Sequence, residues 1–131
     1  MYLLDTNACI AVLTGRSERL VKRLAQVSAA DVALCSAVKA ELYFGARKSE
    51  RVEQNLNLLH EFLGPFTSFA FDDKAAQHYG AIRAELAASG RPFGPNDMMI
   101  AAIARSNDLV VITNNVGEFS RVGGLRIDNW Q

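Results

Sequence analysis

The chain has 131 residues, half of them hydrophobic, and fourteen basic side chains balance fourteen acidic ones. This size fits one domain, residues 1–131, with a sizeable core, and the composition excludes a disordered chain. The balanced charge excludes a global pull toward nucleic acid, so any RNA contact must come from local patches.

Tyr2–Leu4 is a short apolar run closed by Asp5-Thr6-Asn7, and it reads as a buried strand feeding a helix over about Ala8–Leu13, stopped by Gly15. The start has no basic n-region and no long apolar stretch, so a signal peptide is not expected. Ser17–Val27 predicts a second helix whose outer face carries Arg19, Lys22 and Arg23. Val32–Cys35 is the second strand, and Ser36 is placed to cap a helix running to about Arg47. Ser49–Leu63 has Val52, Leu56, Leu59 and Leu63 at helical spacing before Gly64-Pro65 breaks it.

Thr67–Phe71 reads as strand three, and Asp72 caps a long helix through Ala88, stopped by Gly90. Arg91-Pro92-Phe93-Gly94-Pro95 is a rigid loop, after which Asn96 caps a helix to about Ser106. Leu109–Thr113 is the strongest strand signal, and Leu125–Ile127 adds a short last strand. Strands alternating with helices give an α/β fold with a mostly parallel sheet. No apolar run reaches the roughly 20 residues a membrane span needs. Cys9 and Cys35 lie in apolar runs without zinc spacing, which predicts two buried free thiols in a reducing cytoplasm. His60 and His78 stand alone on amphipathic helices, which suits surface or packing roles.

Four polar residues fall in unusual places. Asp5 ends the first strand, and Asn115 follows the Leu109–Thr113 strand. Asp97 is in the first turn of an otherwise apolar helix, and Glu41 shares a helical stripe with Val38, Leu42 and Gly45. Asp5 could serve only as a helix cap, and Asp97 only as a first-turn acid favoured by the helix dipole. A carboxylate on a core stripe, however, needs a partner. Ligands of open α/β sheets bind at the carboxyl ends of the strands, where all four residues can meet. Carboxylates with Asn and Thr oxygens form a hard-oxygen set, which suits Mg²⁺ or Mn²⁺ and phosphodiester hydrolysis. No phosphate-binding loop, dinucleotide fingerprint or serine nucleophile elbow is present.

Tyr2-Leu3-Leu4-Asp5-Thr6-Asn7, Ala40-Glu41-Leu42, Gly90-Arg91-Pro92, Pro95-Asn96-Asp97, Ile100-Ala101-Ala102 and Thr113-Asn114-Asn115-Val116 with Glu118-Phe119 occur in this order across Met1 to Trp130. In that order and spacing the chain resembles the PIN-domain ribonucleases, and among them the VapC-type toxins of bacterial toxin–antitoxin pairs. The resemblance implies a Rossmann-like α/β/α sandwich and a metal-dependent endoribonuclease. Asp5, Glu41 and Asp97 match the family's three core acids, which hold Mg²⁺ or Mn²⁺. Asn115 stands where many members have Asp; its amide can orient a water but adds no charge and cannot act as a base, which weakens the case for a second metal. Glu118 is expected to restore part of that charge, and Thr113, Thr6 and Asn7 to support the site.

The resemblance further implies a homodimer, a small DNA-binding antitoxin that blocks the site, and a structured RNA substrate, with tRNA favoured. Candidate phosphate contacts are Arg16, Arg19, Lys22, Arg23, Arg47, Lys48, Arg51, Arg83 and Arg91, although each would also suit a solvated face. Two other readings compete. A receiver-type Mg²⁺-binding signalling domain needs an acidic pair after strand one and a Lys after a late strand. Only Asp5 ends strand one, and no Lys follows Lys74. A catalytically silent PIN-like RNA-binding module would account for Asn115 but not for the three intact acids.

Overall fold

A computed structural model describes residues 1–91 and 93–131, so Pro92 of the predicted rigid loop lies outside the described residues. Among these residues five parallel strands form one sheet: β1 (Tyr2–Leu4), β2 (Val32–Cys35), β3 (Thr67–Phe69), β4 (Val110–Ile112) and β5 (Arg126–Asp128), in the order β3-β2-β1-β4-β5. The expected mostly parallel sheet is thus wholly parallel. Among the described residues seven helices lie in the connections between the strands: α1 (Thr6–Thr14), α2 (Glu18–Gln26), α3 (Ser36–Arg47), α4 (Val52–Leu63), α5 (Asp73–Ala87), α6 (Pro95–Ser106) and the one-turn α7 (Val116–Phe119). A 3-10 turn at Ala29–Asp31 leads into β2.

The chain moves outward from β1 through β2 to β3, then crosses back to β4 and β5 on the other side. Right-handed crossovers in opposite directions put helices on both faces, giving the α/β/α sandwich. Coverage on both sides explains why β2 is buried along its whole length and why Leu3, Leu4, Val111 and Ile112 are shut away from solvent. α6 joins this core through Ile100, Ala101, Ala102, Ile103 and Ala104, all of them fully buried. Its run of small residues lets the helix pack closely.

Several element ends differ from the sequence expectation, each for a local reason. Ser36 does not cap α3: it is the first helical residue, and its Oγ accepts from Phe71 N–H at 3.0 Å. That bond draws Phe71 out of the ladder and ends β3 at Phe69. Ser49 Oγ donates to Ala46 O at 2.6 Å and accepts from Asn55 Nδ2 at 2.9 Å, so it closes α3 and α4 starts only at Val52. Asn96 is not a cap either: Gly94 takes that position and Pro95 is the first helical residue, where its missing N–H has no consequence. Leu109 N–H bonds back to Ala104 O at 2.9 Å, which delays β4 to Val110. Gly15 (φ 67) and Gly90 (φ 70) take the left-handed backbone expected where α1 and α5 are stopped.

Candidate active site

The strand order reverses between β1 and β4, and such a switch point leaves a crevice beyond the carboxyl ends of the strands. Leu4 pairs with Ile112, so the next residues on the two strands, Asp5 and Thr113, stand side by side at the mouth of that crevice. Asp5 N–H donates to Ile112 O at 3.1 Å, and Thr113 N–H to Asp128 O at 3.0 Å, which ties both residues to the sheet. Asp5 is only 2% exposed and also caps α1, with its Oδ1 accepting from Ala8 N–H at 2.8 Å. The cap reading of Asp5 is thus observed, and the same side chain stands at the crevice where a site acid was expected.

Burial pushes the Asp5 carboxyl above its ordinary value, hydrogen bonds from Thr113 and Ala8 pull it back, and the Glu41 charge adds to the rise. The Thr113 hydroxyl also accepts from Asn115 N–H at 2.8 Å, so one threonine links Asp5 to the Asn115 turn. Glu41 is half-buried on α3 beside the buried Val38 and Leu42. The hydroxyl of Thr6 donates to its Oε1 at 3.0 Å. Asp97 is the third residue of α6 and half-buried. Burial, then the charges of Asp5, Glu41 and Glu118, raise its carboxyl from 3.8 to about 6. A helix N-terminus favours the ionised form, so burial and repulsion here outweigh the dipole.

The predicted acids Asp5, Glu41 and Asp97 are thus brought within electrostatic reach of one another. The ion pairs found among the described residues, Arg121–Glu118 and Arg126–Asp108, leave all three without a cation partner. Like charges gathered this way fit a hard cation. Among the described residues no three His, Cys, Asp or Glu side chains close around a single point.

The outlying candidates separate into two groups. Asn115 is half-buried at the start of α7 and lines a cleft of about 380 Å³ with Asn7, Arg16, Asn114 and Gln131. Among the described residues no hydrogen bond joins its side-chain amide to the acids. Glu118 is near enough to raise Asp97, but its Oε2 is engaged by Arg121 Nη1 at 2.9 Å. It therefore replaces less charge than the sequence suggested. Arg19, Lys22 and Arg23 line a separate cavity with Asp128, Asn129 and Trp130. Arg47 and Lys48 are exposed at the end of α3, with Lys48 Nζ 5.1 Å from the Phe44 ring centre. Arg83 and Arg91 share a further cavity with Phe93 and Met98.

Arg121 escaped the sequence reading. Besides Glu118 it reaches Ser89 Oγ and Arg91 O, both at 3.0 Å, so it ties α7 to the loop before Asp97. Phe93 packs edge-on against Phe119 across the same junction, with ring centres 5.8 Å apart. The only available sequence signal was the i, i+3 spacing of Glu118 and Arg121. An apolar groove beside Glu41 was also missed. It holds about 340 Å³ and is lined by Ile10, Leu13, Leu42, Leu58 and Leu59. Asp72 caps α5 as expected, with its Oδ1 accepting from Ala75 N–H at 2.9 Å.

Comparison with known proteins bears on the same chain from outside. The profile described as PIN domain matches residues 2–125. The chain is 42% identical over 129 residues to a tRNA(fMet)-specific endonuclease VapC of Shigella flexneri, covering 98% of this chain and 97% of that protein. It is 43% identical over 129 residues to ribonuclease VapC2 of Haemophilus influenzae, with the same coverage of 98% and 97%. Among solved structures, a DNA-bound VapBC complex from Salmonella typhimurium matches with a TM-score of 0.93 at 41% identity, over 99% of this chain and 98% of that one. VapBC2 from Rickettsia felis, bound to a promoter DNA fragment, matches with a TM-score of 0.92 at 34% identity, over 99% and 98% of the two chains.

Proposed function

This chain belongs to the PIN-domain family and, within it, to the VapC-type ribonuclease toxins, and from that premise we propose that it is a Mg²⁺- or Mn²⁺-dependent endoribonuclease that cuts tRNA. The observation that carries the metal dependence is the set Asp5, Glu41 and Asp97, whose burial and mutual repulsion lift Asp97 to about 6. A divalent ion bound by these acids would neutralise charge on the scissile phosphate and make water a better nucleophile. Asp5 is the fixed element of the set, held by the sheet on one side and by Ala8 on the other. Thr6 orients Glu41 through its hydroxyl, and Thr113 positions both Asp5 and the Asn115 backbone. Asn115 orients the attacking water with its amide oxygen, a role that needs a dipole and no charge. Cleavage here thus rests on three acids and an amide, not on four acids.

Two further parts of the reading draw on the relatives. The Shigella flexneri protein is tRNA(fMet)-specific, which supports tRNA(fMet) as the substrate of this chain. The matched solved structures are VapBC complexes, which supports a cognate small DNA-binding antitoxin as partner, acting on a homodimer of this chain. The groove beside Glu41, with Leu13 41% and Leu58 51% exposed, offers such a partner an apolar surface next to the acids. No helix among the described residues is long and apolar enough to cross a membrane.

The substrate is tested by incubating transcripts of tRNA(fMet) and of elongator methionine tRNA with the purified chain and Mg²⁺. Cutting of tRNA(fMet) alone is expected. Equal cutting of both would leave the nuclease but remove the specificity.

A further inference from the structure

Resting on the ribonuclease reading, we propose that the cavity between α2 and the end of β5 is a phosphate anchor for the RNA backbone, beside the polar cleft that Asn115 lines. α2 turns Leu20 and Leu24 inward and leaves Arg19, Lys22 and Arg23 exposed. The three cations fall at i, i+3 and i+4, so they share one face of the helix. They line a cavity of about 410 Å³ with Asp128, Asn129 and Trp130. Among the described residues none of the three has an ion-pair partner. Both oxygens of Asp128, the one carboxylate in the lining, are already in use. Oδ1 accepts from Asn129 N–H at 2.8 Å and Oδ2 from the Trp130 indole N–H at 3.3 Å. The cavity therefore holds three cations against one engaged acid.

A row of solvated lysines and arginines would not make a site, but here one arginine is braced. The Arg23 guanidinium lies 5.3 Å from the Trp130 ring centre. Trp130 is itself only 6% exposed and is buttressed edge-on by Tyr2, with ring centres 5.0 Å apart. This cation–π contact restricts the guanidinium, so less freedom is lost when it takes two phosphate oxygens.

A second polar cleft neighbours the anchor. Asn129 Nδ2 donates to Asn114 Oδ1 at 3.4 Å, and Gln131, next to Trp130, lines the neighbouring cleft with Asn7, Arg16, Asn114 and Asn115. A backbone spanning the two clefts would touch Asn115 and Arg16 in one and the α2 cations in the other. Apart from Trp130 the anchor is lined by polar groups, which suits a sugar–phosphate chain better than the apolar face of a protein. Such contacts add affinity and register, while base choice is made elsewhere.

The test is equilibrium binding of a fluorescently labelled tRNA(fMet) transcript to the full chain in EDTA over a range of NaCl. Replacing Arg19→Gln, Lys22→Gln and Arg23→Gln together should weaken binding at least about tenfold and flatten the plot of log affinity against log salt by about 2, at roughly 0.7 for each phosphate no longer neutralised. Arg23→Lys keeps the charge but loses the two-pronged guanidinium beside Trp130, so it should weaken binding with little change of slope. A folded triple variant that binds with the parent's affinity and slope would overturn the anchor. So would a variant that keeps tRNA and loses the antitoxin, since the surface would then serve a protein. A parent that neither binds nor cuts tRNA overturns the anchor together with the ribonuclease reading; a parent that cuts while the variant binds unchanged overturns the anchor alone.

Discussion

Asp5 holds two roles with opposite effects on stability. As the cap of α1 it stabilises the helix, and replacing such a residue by Ala typically costs about 1 kcal/mol. As a buried carboxylate facing Glu41 it strains the folded state. Asp5→Asn keeps an oxygen for Ala8 N–H and removes only the charge, so it separates the two. Thr6 is the cleaner supporting residue, because its hydroxyl donates to Glu41 at 3.0 Å. Thr6→Val should keep the fold and lower Mn²⁺ affinity about 10–100-fold by calorimetry, the usual cost of losing a group that orients a ligand. Unchanged affinity would remove Thr6 from the site.

Asp97 sets a pH signature. Its carboxyl ionises at about 6 in the folded chain against 3.8 ordinarily, so between those values the folded state binds the proton more tightly than the unfolded state. The metal-free protein should therefore lose stability as pH rises from about 4 to about 6 and level off above. Asp97→Asn should remove that part of the thermal-melting profile. Mn²⁺ needs the ionised acids, so it should raise Tm at pH 7.5 and do little at pH 5. A Tm gain from Mn²⁺ at both pH values would contradict the assignment. The three acids were visible in the sequence because each breaks a local rule, at a strand end or on a core stripe. Arg121 breaks none, and its partners Ser89 and Arg91 lie some 30 residues away in sequence. Its role exists only in the folded chain.

Among the elements, α6 links the core to the chemistry. Its first turn carries Asp97, and its body contributes Ala101 and Ala102, neither of which has any exposed surface. Close-packed interiors absorb an added side chain only by moving backbone, at about 1–3 kcal/mol. Ala102→Leu should cost about that much by chemical denaturation and slow cleavage as well, because a shifted α6 carries Asp97 with it. A variant as stable as the parent would show slack in this layer. The body of α6 was legible from its apolar run, but its start was not. Asn96 is a better cap than Gly94 by type, yet Pro95 fits only the first helical position and decides the matter. Ser36 misled similarly: its hydroxyl answers Phe71, 35 residues on, rather than its own helix. The one-turn α7 gave no periodicity to read.

At the scale of the whole molecule, the site follows from the reversal of strand order at β1 and β4. That reversal brings Asp5 and Thr113 together and lets helices from two other connections deliver Glu41 and Asp97. Alternation of strands and helices predicted the class of sheet, and the resemblance implied the order of layers. The cleft lined by Asn115 and the cavity lined by Trp130 depend on how the last strand meets its neighbours, which no local pattern encodes. On the proposed function, the three acids act through a divalent ion to cut RNA. The decisive experiment is incubation of the purified, antitoxin-free chain with total tRNA in Mg²⁺, in Mn²⁺ and in EDTA, beside Asp5→Asn. Loss of one tRNA band is expected with either ion, and no loss in EDTA or with the variant. Cutting that persists in EDTA, or in folded Asp5→Asn at the parent's rate, would contradict a metal-dependent role for these acids.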